Sequence, residues 1–177
     1  MRMKPIDGFT TKKLREEFLN LYNIPRDEHV MTLHGGENTT DRLYFWQLYS
    51  ILGEDEITEI ITLFYKDVMC DHQDELFRET FKNSGTLEHH VKKQVNFWVD
   101  ATGGGKRYPG GEARLELHHD NAKIIMTHRG AARWLFHMKN ALKTRNFHDE
   151  RIASCINDFV NFFMYKYGQV YNFRARL

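Results

Sequence analysis

RLELHHDNAKIIMTHRGAARWLFHM, residues Arg114 to Met138, sets a histidine pair a short distance ahead of a segment with helical periodicity. A histidine in this place can ligate a metal or a heme iron through a ring nitrogen. Trp134, fifteen residues after His119, can close a pocket over such a ligand. The same spacing also fits an exposed His pair before an ordinary amphipathic helix, so on its own the stretch leaves both readings open. Ala131, Trp134, Leu135, Met138 and Leu142 share one face, which predicts a helix from His128 to Lys143.

Upstream, LEHHVKKQVNFWVD (87–100) predicts a helix whose apolar face is Leu87, Val91, Val95 and Trp98. His90 and Gln94 lie within about 60° of Leu87 on that face, whereas His89 points elsewhere. Two polar side chains on an apolar face need partners or a polar ligand, because an unpaired buried polar group costs about 1–3 kcal/mol. The glycines of ATGGGKRYPGG (101–111) end that helix. The run has neither the Gly-Lys-Ser/Thr ending nor the preceding strand of a phosphate loop.

Before it, Ile57, Ile60, Ile61, Phe64 and Val68 form a stripe from Glu54 to Cys70, with Tyr65 at its edge and able to face a cavity. Phe77 and Phe81 mark a short helix. Thr40 is a candidate cap for a helix from Asp41 that Gly53 ends, and Leu14, Phe18, Leu19 and Tyr22 predict a helix over Thr11–Tyr22. The polar stretch between them, 24–40, reads as a linker. At the other end, Ile152 to Tyr167 keep helical spacing, with Gly168 as the stop.

The composition agrees with one helical domain. The chain has 177 residues and three prolines, with 14% aromatic residues that demand burial. The net charge of +1 gives no electrostatic footprint for nucleic acid or an anionic membrane. Cys70 and Cys155 form no CxxC or paired framework. The N-terminus lacks an apolar signal core and no run is long enough to span a membrane, so a soluble, cytoplasmic protein is the expectation.

Four separated motifs then line up. They are Leu63-Phe64-Tyr65; Lys93-Gln94-Val95-Asn96-Phe97-Trp98 with Gly103-Gly104; Arg114-Leu115 with His119; and Arg133-Trp134-Leu135 with Met138 and Ala141-Leu142. In order and approximate spacing they resemble the truncated hemoglobins. Trp134 points to group II, and FRETFKNS (77–84) resembles the plant and algal members. The likeness runs from about Tyr44 to Val170.

The resemblance implies an all-α truncated globin fold, a two-over-two helical sandwich around one heme b, over residues 44–177. Residues 1–43 would form an N-terminal extension with a short helix and loop. It implies His119 as the proximal iron ligand and Tyr65, Gln94 and Trp134 as distal hydrogen-bond donors, with His90 at the variable distal gate. Phe81 would stack on the porphyrin, Trp98 would line the ligand route, and Lys93 would pair with a propionate. The implied ligands are dioxygen, nitric oxide and carbon monoxide; nitric oxide dioxygenation or peroxidase-like chemistry would need an external reductase, and a homodimer is compatible.

The sequence departs from the family in three places. Gly105 stands where a proline is usual, His118 where an arginine is usual, and two extra residues separate His119 from Trp134. His118 is therefore the rival proximal ligand. His90, as an imidazole in the distal pocket, is a candidate sixth iron ligand. Three other classes were weighed. They are a heme-based gas or redox sensor acting through the extension, a non-heme metal protein using His89, His90, His118, His119 and His128, and a cofactor-free helical domain. The second lacks an HxxxH pair with nearby carboxylates.

Overall fold

The computed structural model describes residues 4–36, 38–108 and 126–177. His118 and His119 lie outside the described residues. Among the described residues seven α-helices follow in order: α1 (Phe9–Leu21), α2 (Glu28–Met31), α3 (Leu48–Met69), α4 (Glu75–Ser84), α5 (Leu87–Ala101), α6 (His128–Lys143) and α7 (Glu150–Tyr171). A 3-10 turn, Phe45–Gln47, leads into α3. Among the described residues the one β pairing is a parallel bridge from Ile6 to Gly104.

Short polar side chains set the helix starts. Asp74, Thr86 and Thr127 accept hydrogen bonds from the backbone N–H groups of Phe77, His89 and Gly130, satisfying donors that the first turn leaves without a partner. The stripe of α3 is fully buried at Ile57, Ile60, Ile61, Phe64 and Val68. That helix packs most widely, against α5 and α6. Phe159 of α7 meets Trp98 of α5 edge to face at 5.1 Å and lies 5.0 Å from Phe45, which ties the 3-10 turn, α5 and α7 into one aromatic core.

Three local expectations are corrected. Thr40 caps no helix; its hydroxyl and amide bond Asn38 Oδ1, and the first helical turn starts only at Phe45. Gly53 does end the first helical run as expected, at φ 71° and ψ 174°, but a second run starts directly after it, so α3 spans Leu48–Met69 across a kink. Residues 24–40 are more than a linker. They contain α2, bury Val30 and supply the carbonyl oxygen that accepts the Trp46 indole N–H at 2.7 Å. Gly168 does not stop α7, which runs on to Tyr171 and ends at Asn172 in the left-handed conformation. The glycine is there for clearance, because a Cβ at 168 would collide with the carbonyl oxygen of Phe173 where the chain folds back.

Residues 1–43 supply Leu14, Phe18, Leu19 and Val30 to the common core. The segment before α1 is fastened to the end of α5. Ile6 N–H donates to Gly103 O at 2.8 Å, and the Thr11 hydroxyl donates to Asp100 O. Gly103, at φ 100°, lets the chain pass over the Trp46 carbonyl, which a side chain there would strike.

Candidate functional site

Three helices bring the distal candidates together. Tyr65 projects from α3, His90 and Gln94 from successive turns of α5, and Trp134 from α6. The rings form a continuous row: His90 stacks on Tyr65 at 5.3 Å, Tyr65 meets Phe64 edge to face at 4.9 Å, and Phe64 meets Trp134 at 4.8 Å. Phe81 of α4 closes the row, 6.0 Å from Tyr65 and 5.8 Å from His90. Trp98 is buried against α7 instead, and Lys93 is half-buried on α5 beside His90.

The polar atoms of this row are unequally satisfied. His90 Nε2 lies 2.8 Å from Phe81 O, a carbonyl in the last turn of α4, so the imidazole caps a helix end from the side. Burial pushes the His90 pKa down, against the pull of that bond, and the positive neighbours His89 and Lys93 push it the same way. The ring is therefore neutral near pH 7, and its one N–H sits on Nε2. By contrast, the Tyr65 hydroxyl, the Gln94 amide and the Trp134 indole N–H make no hydrogen bond to another described residue, and Gln94 and Trp134 are half-buried. Burial first, and Tyr108 second, push the Tyr65 phenol above its usual range, so it is a protonated donor. Three such donors on three helices beside an aromatic wall suit an acceptor that the described residues do not provide.

Beneath this row lies an ionic network that sequence reasoning missed. Asp71, just after α3, is almost fully buried and accepts a two-pronged bond from Arg133, 2.5 Å to Nε and 2.7 Å to Nη2. It also accepts from the Gln73 and Asp74 amides. His137 sits between two carboxylates, with Nδ1 2.7 Å from Asp67 and Nε2 2.7 Å from Asp71. Its ring stacks on Phe77 at 5.7 Å. Burial alone would raise the Asp71 pKa, but the bonds from Arg133, His137 and the two amides outweigh it and hold the carboxyl far below the usual carboxylate range. The signal was present as two matched pairs one helical turn apart, Asp67/Asp71 and Arg133/His137. It went unread because pairing between helices is invisible to a one-helix periodicity.

Among the described residues no three His, Cys, Asp or Glu side chains group as a metal site. His89 is exposed and His128 Nδ1 accepts from the Arg174 amide.

The model of the family described as bacterial-like globin matches residues 47–166, more than half of the chain. The chain is a truncated globin. It is also 34% identical over 95 residues to two-on-two hemoglobin-3 of Arabidopsis thaliana. That match covers 54% of this chain and 53% of the relative, so the chain spans about half the length of the curated relative it matches. Its fold is accordingly the all-α truncated globin fold. Three donors converging beside an aromatic wall are a donor set that fits the distal side of a heme pocket. No helix among the described residues is long and apolar enough to cross a membrane.

Proposed function

We propose that this globin binds heme b through His119 and takes up dioxygen on the side lined by Tyr65, Gln94 and Trp134, as a group II, plant-like member of its family. The observation that carries the proposal is the set of three donors, none bonded to another described residue, on three helices beside the ring row of Phe64, Tyr65, Phe81 and His90. When bound, the heme supplies an iron that holds the diatomic ligand and exchanges electrons. The protein's part is electrostatic. The Tyr65 hydroxyl, the Gln94 amide and the Trp134 indole present N–H and O–H groups where negative charge gathers on the ligand, in a site dry enough for such bonds to be strong. Phe81 and Phe64 exclude water, Lys93 offers a cation to a propionate, and His90 gates entry beside Phe81, while Trp98, packed on Phe159, would reach a ligand route only from behind that row. Nitric oxide and carbon monoxide are further ligands. With nitric oxide, dioxygen and one electron the product is nitrate, and an external reductase would return the electron. Peroxidase-like turnover would draw on the same reductant.

The test is the absorption spectrum as isolated, after dithionite and after carbon monoxide, for the parent and for His119→Ala. A Soret band that carbon monoxide shifts, and that the variant loses, is the expected result. Loss in His118→Ala instead would move the proximal role to His118. No Soret band after added hemin, with both proteins folded, would overturn the proposal.

A sensor reading has one observation in its favour. The backbone tie from Ile6 to Gly103 joins the N-terminal segment to the end of the helix that carries His90 and Gln94. Protease cleavage before Phe9 would then change on adding carbon monoxide to the reduced protein, and an unchanged pattern would dismiss it. A homodimer through that segment would appear as a concentration-dependent mass in sedimentation.

A further inference from the structure

Away from the distal row, α1, α7 and the C-terminal tail enclose a cavity of about 460 Å³. Its floor is apolar, with Phe18 and Phe173 each 3% exposed and Met164 half-buried. Its rim carries Arg42, Arg174 and Arg176 against a single carboxylate, Asp158. The volume is within the range of small-molecule sites, roughly 300–1,000 Å³.

The tail that bears two of these arginines is held in place. Phe173 N–H donates to Gly168 O at 3.2 Å, the Arg174 amide to His128 Nδ1 at 3.3 Å, and the Leu177 amide to Asn161 Oδ1 at 2.6 Å. Between these anchors Phe173 turns inward and Arg174 and Arg176 turn out to the rim. Neither arginine pairs with a carboxylate among the described residues. Arg42 is only loosely engaged, 3.4 Å from Asp158, with its guanidinium 5.0 Å from the Tyr44 ring. Burial first and Asp158 second raise the Tyr22 pKa, with Arg176 and Arg42 opposing. The phenol is therefore a donor within electrostatic reach of two of the three cations, and Tyr165 lines the same opening.

We infer that this cavity is a binding site for an amphipathic anion, a carboxylate or phosphate headgroup on an apolar chain or ring. Guanidinium forks match the paired oxygens of either headgroup, and an anion would relieve the mutual repulsion of three cations that share one counter-charge. The apolar floor takes the chain. A cation or a neutral polyol gains nothing from the rim. The inference does not depend on the ligand chemistry of the iron site.

The test uses the full-length, heme-loaded protein and calorimetric titration with dodecanoate, dodecyl phosphate and dodecyltrimethylammonium, each below its micelle concentration, with the Soret band recorded in parallel. The expected result is saturable one-to-one binding of an anionic probe, no binding of the cationic one, and an unshifted Soret band. Arg174→Glu/Arg176→Glu, both exposed and free of structural bonds through their side chains, should weaken binding about tenfold or more. Lys139→Glu, exposed on α6 away from the cavity, should not. Met164→Trp should block the chain while leaving the rim intact. Preference between dodecanoate and dodecyl phosphate assigns the headgroup. Absence of saturable binding, equal binding of the cationic probe, or binding that shifts the Soret band and ignores both variants would overturn the site.

Discussion

His90 Nε2 donates to the carbonyl oxygen of Phe81, so the residue proposed as the distal gate already spends its only N–H on the end of α4. Reaching the iron through that nitrogen would mean breaking the bond and uncapping the helix. His90→Leu is therefore expected to leave the resting visible spectrum unchanged. It should instead speed carbon monoxide association after flash photolysis, because the gate loses its tether. A resting spectrum that changes from six- to five-coordinate on this substitution would show that the imidazole leaves Phe81 for the metal.

The same residue predicts a pH effect. Its pKa is lowered from 6.5 in the folded protein, so the unfolded chain binds more protons across the interval between the two values. The contribution is fully present above the unfolded value and is lost as pH falls through the folded one. Urea midpoints of the parent should thus decline from pH 7.5 toward pH 5 more steeply than those of His90→Gln. Parallel declines would assign the effect to other groups.

Arg133 and Asp71 predict a large stability loss. Removing the guanidinium in Arg133→Met leaves a carboxylate with a 0% exposed side chain short of its two-pronged partner, a defect of about 3–5 kcal/mol. His137→Phe keeps the stack on Phe77 but drops two hydrogen bonds, and should cost less, about 1–3 kcal/mol. Denaturant titration of both variants and the double variant measures the coupling; strict additivity would mean the two residues act independently.

On the ligand side, Tyr65→Phe and Trp134→Phe each remove one donor and keep the aromatic wall. Each is expected to raise the dioxygen dissociation rate by about tenfold, the worth of one hydrogen bond of roughly 1.4 kcal/mol. Stopped-flow dissociation checks this, and an unchanged rate in both would remove them from the ligand's environment.

Gly168→Ala should destabilise by about 1–3 kcal/mol, because the new methyl meets the Phe173 carbonyl inside a packed turn. Helix propensity alone predicts the opposite sign, so the denaturation midpoint decides between them.

Periodicity made the stripe of α3 and the face of α6 legible, since both are set by burial against a neighbour and repeat at 3.6 residues. The spans of α5 and α6 follow from Thr86 and Thr127, whose capping bonds are local chemistry. Gly168 misled for a physical reason. A glycine is needed where a helix ends, where it kinks, and where another strand of backbone passes close by, and the residue type does not distinguish these. His90 was correctly marked as needing a partner, but a backbone carbonyl of another helix cannot be named from spacing. Asp71 was overlooked because its five bonds come from a loop and from α6, 62 or more residues away for the side chains.

The docking of Ile6 on Gly103 and of Trp46 on Val30 bears on how this globin is cut for experiments. A fragment trimmed to residues 47–166, the span its family shares, would begin after Phe45 and Trp46 and lose α1, α2 and the last turn of α7. It would expose the rings of Phe159 and Phe162 that Phe18 and Phe45 cover. The family's shared span and this protein's folding unit are therefore different lengths of chain, and only the longer one closes its own core.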